Sequence, residues 1–280
     1  MSLAQAPNVL QAPHVLQSHH ALQASEISYR AGSINLLHPM SMQLKAGEVT
    51  AILGPNGAGK STLLSLLSGQ RKSGGAGTVN VNNRNINDYS AAELARFRAV
   101  LPQDTSVAFD YTVKDIVELG RFPHARKPSA DEAGIVQAAM RATRVDALAH
   151  RIIHSLSGGE RARAQLARVL AQIWEPPPGG SARWLLLDEP TAALDLSHQH
   201  DVLRLMRNWA LQQGVGVVAV LHDLNLALRY AHRVVVLDQG RLRGHGPAAQ
   251  ILTTESVSQI WRVNVRAVTD VDGTMQLLVA

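Results

Sequence analysis

The sequence predicts an α/β protein with a mainly parallel β-sheet and a helical insertion. Two near-continuous apolar runs, RWLLLDEP at 183–190 and GVGVVAVLHD at 214–223, are typical of parallel strands covered on both faces. A third run, EVTAILG at 48–54, ends in glycine and is followed by an apolar helical pattern, STLLSLLSG. Residues from about 90 to 171 are mostly helical in pattern. The strands therefore enclose a helical segment.

The remaining elements fit this arrangement. TVNVNNRNI at 78–86 alternates like an edge strand, and RVVVLDQGRL at 233–242 predicts a further strand and turn. Residues 1–21 carry a loose repeat of V/A-L-Q with proline and histidine between, and we expect a disordered extension there. We predict one domain over 22–280. Its core comprises about 22–89 and 166–280, and its helical part comprises about 90–165.

Composition limits the function. The 280 residues suffice for a substantial core, and the absence of cysteine excludes disulfides, thiol catalysis and zinc-finger sites. No apolar run reaches the roughly 20 residues that span a bilayer, and no leader pattern is present, so we expect a protein that is neither exported nor membrane-spanning by itself. The net charge of +5 is spread as scattered arginines, so we expect no nucleic-acid partner.

A glycine-rich turn carries the first chemical signal. GPNGAGKST matches G-x-x-x-x-G-K-[ST] and lies between a predicted strand and a predicted helix, as a phosphate-binding loop requires. Lys60 is expected to reach the β- and γ-phosphates, Ser61 to bind Mg²⁺ and Thr62 to contact the α-phosphate. The predicted nucleotide-binding residues of this phosphate loop are Gly54, Pro55, Asn56, Gly57, Ala58, Gly59, Lys60, Ser61 and Thr62.

Acidic residues end the next apolar strand. Asp188 follows WLLL at the carboxyl end of the strand, where ligands bind in open α/β sheets, and is predicted to complete the Mg²⁺ site. Glu189 comes directly after it. With Asp188 facing the metal, Glu189 is predicted to act on the attacking water as a general base or as a water-orienting group.

Three further residues fall where this chemistry needs polar groups. Gln103 follows the strand-like AVLPQ and is a candidate for contact with the metal or the water. His222 ends a predicted strand, which places an imidazole near a γ-phosphate; a lone histidine there is more often structural. Tyr29 lies 25 residues before the phosphate loop, in what reads as a polar turn. It is a candidate for stacking on adenine, with ordinary packing as the alternative.

A second glycine turn, LSGGE at Leu156–Glu160, precedes the helical run RARAQLARVLAQ. Together with Tyr29, the phosphate loop, Gln103, LLLDEP, the ALD at 193–195 and His222, in this order, it resembles the ATP-binding-cassette (ABC) ATPases from Leu22 onward. This resemblance implies a P-loop NTPase cassette with an antiparallel β part at its amino terminus, and ATP and Mg²⁺ as ligands. It assigns adenine stacking to Tyr29 and coupling to a membrane partner to Gln103. Glu189 becomes the catalytic base and His222 the γ-phosphate sensor.

The resemblance also explains the second turn. In the family, two cassettes sandwich ATP head to tail, and the turn of one subunit covers the γ-phosphate on the other. A homodimer is therefore implied, because this chain has one cassette. The residues expected to serve the opposite subunit are Leu156, Ser157, Gly158, Gly159, Glu160 and Asp195.

Two segments, ELGRFPHAR at 118–126 and VLHDLNLALRYAHRVVVLDQGRL at 220–242, resemble the ATPases of bacterial iron-chelate, haem and cobalamin importers. The insertion EPPPGGSA at 175–182 is most similar to the haemin-import members, although it is equally a variable surface loop. Such an ATPase is peripheral to the cytoplasmic face of the inner membrane. Its partners are a permease dimer and, indirectly, a periplasmic binding protein.

Other functions stay open at this point. The cargo alternatives are ferric siderophores and cobalamin. A soluble cassette in nucleic-acid maintenance or iron–sulfur assembly is the alternative from another class. A regulatory module without turnover is disfavoured, because Lys60, Asp188, Glu189 and His222 form a complete catalytic set.

Overall fold

The computed structural model describes residues 21–104, 109–177 and 179–280. The strands, numbered in chain order, are β1 (Ala21–Ala31), β2 (Ile34–Lys45), β3 (Val49–Leu53), β4 (Thr78–Val81), β5 (Arg84–Asn85), β6 (Arg98–Leu101), β7 (Trp184–Leu187), β8 (Gly216–Val220), β9 (Arg233–Asp238), β10 (Arg241–Pro247), β11 (Val265–Thr269) and β12 (Met275–Val279). The helices are α1 (Lys60–Leu67), α2 (Ala91–Leu94), α3 (Val113–Leu119), α4 (Glu132–Ala142), α5 (Gly158–Gln172), α6 (Leu196–Gln213), α7 (Leu224–Tyr230), α8 (Ala248–Ile251) and α9 (Thr254–Trp261). Residues 1–20 of the predicted extension lie outside the described residues. Its last residue, Ala21, belongs to β1 instead.

Six strands form the central sheet in the order β10-β9-β3-β8-β7-β6. All neighbours are parallel except β10, which pairs antiparallel with β9. Strands β3, β7 and β8 are buried at every residue. Both of their faces are covered, which explains why they read as continuous apolar runs. The predicted α/β fold is confirmed.

The two faces of this sheet pack on different layers. Ala51 and its neighbours on one face share a core with α5, α6 and α7, whereas Ile52 shares a core with α1 and the second sheet. Alternate residues of a strand point to opposite faces, so the short strand β3 serves both cores. The phosphate loop follows directly from β3 and is therefore anchored by both layers.

The second sheet is antiparallel, in the order β2-β1-β4-β5. Leu22 of β1 pairs with Leu44 of β2 and with Val81 of β4, and all three side chains are fully buried. This is the amino-terminal antiparallel part that the resemblance implies. TVNVNNRNI contributes an inner strand, β4, and the short edge strand β5.

The helical segment has a core of its own, formed by α3, α4 and the inner face of α5 between Val113 and Ala171. The predicted range of about 90–165 is too wide at its start, because β6 belongs to the central sheet. Ala99 and Leu101 of β6 pair with Leu185 and Leu187 of β7 and pack in the sheet's core. Four residues are too few to outweigh the helical pattern that surrounds them.

The chain ends in α8, α9 and the antiparallel hairpin β11–β12. Leu277 of the hairpin is buried in the core that also contains α7. Over residues 21–104, 109–177 and 179–280, no helix combines the length and the apolar character needed to cross a membrane.

Candidate nucleotide-binding and catalytic site

Glycine is required at two positions of the phosphate loop. Gly54 has a φ of +151°, and a Cβ there would lie 2.1 Å from the carbonyl oxygen of Leu237. Gly59, which precedes α1, has a φ of +98°, and its Cβ would lie 2.6 Å from a methyl group of Leu37. Side chains at these positions would push the loop off the sheet. The glycines therefore hold the loop close to β9 and β2 and leave its backbone free to wrap an anion.

Lys60 is folded into this loop. Its side chain is buried, and its Nζ donates hydrogen bonds to the carbonyl oxygens of Gly54 at 2.9 Å and Pro55 at 3.0 Å. Burial lowers the pKa of Lys60, while the nearby Glu189 and Asp188 carboxylates oppose that shift. The ammonium group is thus held inside the loop, against the loop's own carbonyl oxygens.

Ser61 and Asp188 meet at the carboxyl edge of the sheet. The Ser61 hydroxyl donates to Oδ1 of Asp188 at 3.1 Å, although the two residues are 127 positions apart. Burial raises the pKa of Asp188, which means that its charge is poorly compensated by the protein alone. A hydroxyl beside an undercompensated carboxylate fits Mg²⁺, which prefers oxygen ligands and completes its shell with phosphate and water.

Glu189 and His222 lie in direct contact. Nε2 of His222 is 2.7 Å from Oε1 of Glu189, and the Glu189 side chain is only 18% exposed. Glu189 has a φ of +52°, a left-handed conformation that is uncommon for a residue other than glycine. This strained turn aims the carboxylate back across the end of the sheet, and such strain often accompanies a functional site.

One hollow of about 400 Å³, the phosphate-loop hollow, lies among these groups. It is lined by Lys60, Ser61 and Thr62 and, from the ends of the neighbouring strands, by Glu189 and His222. Leu36 of β2 also lines it. Sequence reasoning missed Leu36, because an apolar residue in a strand carries no signal that distinguishes a site from a core.

Tyr29 lies in β1 rather than in a polar turn, since it pairs with Leu37 of β2. Its hydroxyl accepts a hydrogen bond from Arg71 at 2.7 Å, and the guanidinium carbon lies 5.1 Å from the ring centre. Arg71 in turn lines a hollow with Ser61, Thr62 and Asp188. No sequence pattern pointed to Arg71, which follows α1 in an ordinary polar loop.

Gln103 is exposed just beyond β6 and lines a second hollow, of about 290 Å³. Asp188 and Glu189 line the same hollow, and so does Gly158 from the second glycine turn. Glu189 thus lines both this hollow and the phosphate-loop hollow. Gln103 therefore lines a hollow with both carboxylates, and its contact with the metal or the water stays a prediction.

The signature turn (Leu156–Glu160) starts α5. Leu156 is buried, and the Ser157 hydroxyl accepts from the Glu160 amide while the Glu160 carboxylate accepts from the Ser157 amide. These hydrogen bonds lower the pKa of Glu160. None of the five residues is among the described residues that line the phosphate-loop hollow. Gly158 lines the neighbouring hollow instead, so the turn and the phosphate loop of one chain do not line a common hollow.

Comparison with known proteins decides the family. A protein-family model described as "ABC transporter" matches residues 37–192, which is more than half of the chain. The chain belongs to the ABC transporter family. The hemin import ATP-binding protein of Rhodococcus jostii RHA1 is 47% identical over 85% of this chain and 78% of its own length. The hemin import ATP-binding protein of Shewanella denitrificans OS217 is 42% identical over 91% of this chain and 98% of its own length.

Solved structures of ABC proteins agree with the cassette's fold. A metal-chelate type ABC transporter in an inward-facing conformation has a TM-score of 0.76 and 28% identity, over 93% of this chain and 97% of that chain. A bacterial ABC transporter cassette solved as a dimer has a TM-score of 0.69 and 27% identity, over 81% of this chain and 98% of that chain. The cassette is therefore an ATP-binding ABC ATPase.

Asp195, the last predicted residue of the cassette's shared site, caps α6. Its carboxylate accepts from the backbone amide and the ring of His198, and these hydrogen bonds lower its pKa. The Asp195 side chain is 66% exposed, and the next residue, Leu196, is 70% exposed. An exposed leucine beside an exposed carboxylate leaves this part of the cassette available for contact with another surface.

Proposed function

We propose that this chain is the ATP-hydrolysing subunit of a bacterial haemin importer, and that it works as a homodimer on a membrane permease. The observation that carries the proposal is the Glu189–His222 pair beside the phosphate loop. The names of the relatives, which are hemin import ATP-binding proteins at 42–48% identity, support haemin as the cargo.

In this proposal, ATP lies in the phosphate-loop hollow. Lys60 exchanges its two carbonyl partners for β- and γ-phosphate oxygens, and the backbone amides of Gly57–Thr62 bind the phosphates around it. Tyr29 stacks on adenine. Ser61, Asp188 and Gln103 hold Mg²⁺, which when bound neutralises charge on the phosphates.

Hydrolysis then depends on the pair. Glu189 accepts a proton from the attacking water or orients that water, and His222 donates a hydrogen bond to the γ-phosphate. Their 2.7 Å contact fixes the carboxylate and the imidazole relative to each other before substrate arrives. The reaction is the transfer of the γ-phosphoryl group to water, which gives ADP and inorganic phosphate.

The second half of each site comes from the partner copy. The signature turn presents Ser157 and two glycines at the amino end of a 15-residue helix, where the helix dipole favours an anion. Among the described residues, none of the turn lines the phosphate-loop hollow of its own chain, which supports a role toward the partner's γ-phosphate. Asp195 then lies at the dimer interface.

The permease is expected to bind the helical part. Four large apolar side chains are exposed there among the described residues: Phe109 at 68%, Leu119 at 48%, Phe122 at 78% and Ile152 at 44%. If these side chains form one contiguous patch, it would be a surface for a protein partner. The chain is then held at the cytoplasmic face of the inner membrane, and a periplasmic binding protein and the permease select the cargo.

Uptake by a strain that lacks this chain tests the proposal. Radiolabelled or isotopically labelled haem, a ferric siderophore and cobalamin are supplied in parallel, and the strain is complemented with the natural chain or with Glu189→Gln. We expect loss of haem uptake alone, with recovery by the natural chain only. Loss of siderophore or cobalamin uptake instead would assign another cargo. Normal uptake of all three would support a soluble cassette.

A further inference from the structure

The carboxyl-terminal hairpin β11–β12 is hydrogen-bonded to helix α7 through a side chain that both donates and accepts. Nδ2 of Asn225 donates to the carbonyl oxygen of Leu277 at 3.1 Å, and Oδ1 of Asn225 accepts from the Leu277 amide at 2.8 Å. This reciprocal pair imitates the bonding between neighbouring strands, and it joins positions 52 residues apart. It fixes both the distance and the rotation of α7 relative to the hairpin.

Two other contacts support this attachment. Arg229 lies one helical turn further along α7. Its Nη1 is 3.5 Å from Oδ2 of Asp270, and its Nη2 is 3.4 Å from Oδ2 of Asp272, both in the hairpin's turn. The Leu277 side chain is 6% exposed and belongs to the same core as Leu226 and Ala227 of α7. The hairpin therefore contacts this short helix at both of its ends.

Helix α7 begins at Leu224, two residues after His222 of the catalytic pair. Asp223 caps it by accepting hydrogen bonds from the amides of Asn225 at 2.7 Å and Leu226 at 3.0 Å. His222 immediately precedes this cap and contacts Glu189 through Nε2. The His222 side chain is 47% exposed, so packing restricts its imidazole little. The direction of the ring consequently depends on its contact with Glu189 and on the backbone at the start of α7.

We propose that the hairpin positions His222 for hydrolysis and that Asn225 is the positioning residue through which it acts. The inference rests on the proposed role of His222 at the γ-phosphate. Asn225 holds the hairpin by its side chain and the Asp223 cap by its backbone amide, so it connects the hairpin to the residue after His222. When the hairpin is released, the first turn of α7 shifts, and the imidazole loses its alignment with Glu189 and with the phosphate.

The amide side chain is specifically suited to this task. Aspartate at this position would keep an acceptor for the Leu277 amide but would place a carboxylate oxygen against the Leu277 carbonyl. Alanine would remove both bonds and leave both backbone groups of Leu277 without this partner. The two substitutions should therefore have the same direction of effect, with Asn225→Ala the stronger.

The test uses the full chain and measures steady-state ATP hydrolysis, affinity for a fluorescent ATP analogue, and the melting temperature. Because misplacement of a catalytic group by about 1 Å can cost as much as 100-fold in rate, we expect Asn225→Ala to lower kcat about 10- to 100-fold. Affinity for the analogue should change less than about twofold, because the phosphate loop is untouched. Asn264→Ala, which alters an exposed asparagine just before β11, is the matched control and should leave kcat unchanged.

A double-substitution cycle separates positioning from general destabilisation. If Asn225 acts through His222, adding Asn225→Ala to His222→Ala should lower single-turnover hydrolysis no further. An equal loss in both backgrounds, or a normal kcat in a folded Asn225→Ala protein, would overturn the inference. If Asn225→Ala does not fold, Arg229→Ala, which loosens only the hairpin's turn, gives the same comparison. If His222→Ala alone keeps full activity, the proposed role of His222 fails instead.

Discussion

Nε2 of His222 and Oε1 of Glu189 are 2.7 Å apart, and this contact joins the ends of two neighbouring parallel strands. Asp188 and Glu189 follow β7, and His222 follows β8 by two residues. Because carboxyl ends of parallel strands meet at one edge of a sheet, the fold brings the pair together with Ser61 and Lys60. The chemistry of the site thus depends on strand order more than on distance along the chain.

Glu189→Gln should nearly abolish ATP hydrolysis while ATP binding persists. Glutamine keeps the size of the side chain and can still contact His222, but it cannot take up a proton. We expect kcat to fall by at least about 100-fold. Gel filtration with ATP and Mg²⁺ should show a stable dimer of the variant, since the γ-phosphate is retained. A monomer under these conditions would contradict both the role of Glu189 and the shared site.

Subunits with different defects should complement each other. Lys60→Ala removes the phosphate-binding ammonium, and Ser157→Arg blocks the signature turn, so each variant alone should be inactive. A mixed dimer keeps one intact composite site, and an equal mixture should recover roughly a quarter of the natural rate if the two sites act independently. Hydrolysis of the mixture is compared with that of the separate proteins. A rate no higher than their mean would argue against sites shared between copies.

Arg121→Ala should destabilise the helical part. Arg121 is 7% exposed and donates to both carboxylate oxygens of Glu132 and to the carbonyl oxygen of Ala171, so it joins α4 to the end of α5. Removing one partner of a fully buried ion pair costs about 3–5 kcal/mol, and the loss here should be smaller because the Glu132 side chain is 30% exposed. Urea unfolding should show this loss. Arg126→Ala, at an exposed position of the same segment, is the control and should stay within about 0.5 kcal/mol of the natural chain.

Stability should fall as the pH drops below about 6.5, the usual pKa of histidine. Burial lowers the pKa of His124, His232 and His245, so the unfolded chain binds protons that the folded chain resists. The stabilisation is complete above the unfolded pKa and is lost as the pH falls, at no more than about 1.4 kcal/mol per pH unit for each histidine.

Melting temperatures at pH 7.5 and 5.5 test this dependence. His245→Gln should reduce the difference between the two temperatures, because one proton-binding group is removed from the unfolded state. His150→Gln, at an exposed position, should leave the difference unchanged. Equal differences for the natural chain and His245→Gln would show that His245 does not contribute.

The sequence predicted the central sheet well, for a physical reason. Strands β7 and β8 are covered on both faces and must be apolar throughout, so their runs are conspicuous. Strand β6 was recognised only as the strand-like AVLPQ and was not assigned to the sheet, because only Arg98–Leu101 are extended, between helices on either side. Hairpin β11–β12 was not predicted either, since most of its β11 residues are exposed and its pattern is weak.

The site was predictable where a motif fixes the local backbone. The phosphate loop needs glycines at set positions, and Asp188 needs a buried strand before it, so both could be read from the sequence. The contact between Tyr29 and Arg71 could not, because it depends on how the loop after α1 folds back onto β1. The functions assigned to Tyr29, Gln103, the signature turn and Asp195 remain predictions for experiment.

The reciprocal bonds between Ser157 and Glu160 have a consequence for selectivity. Glu160 supplies the amino end of α5 with a carboxylate of its own, so one amide of the turn is already satisfied. A free phosphate ion or a small anionic metabolite therefore meets only part of an anion site. Its own surface is too small to add much binding energy. An anion that is bound to the partner copy of a dimer adds the contact surface of that copy to its own. In the proposed dimer, the turn would thus discriminate between loose anions and one delivered by its partner.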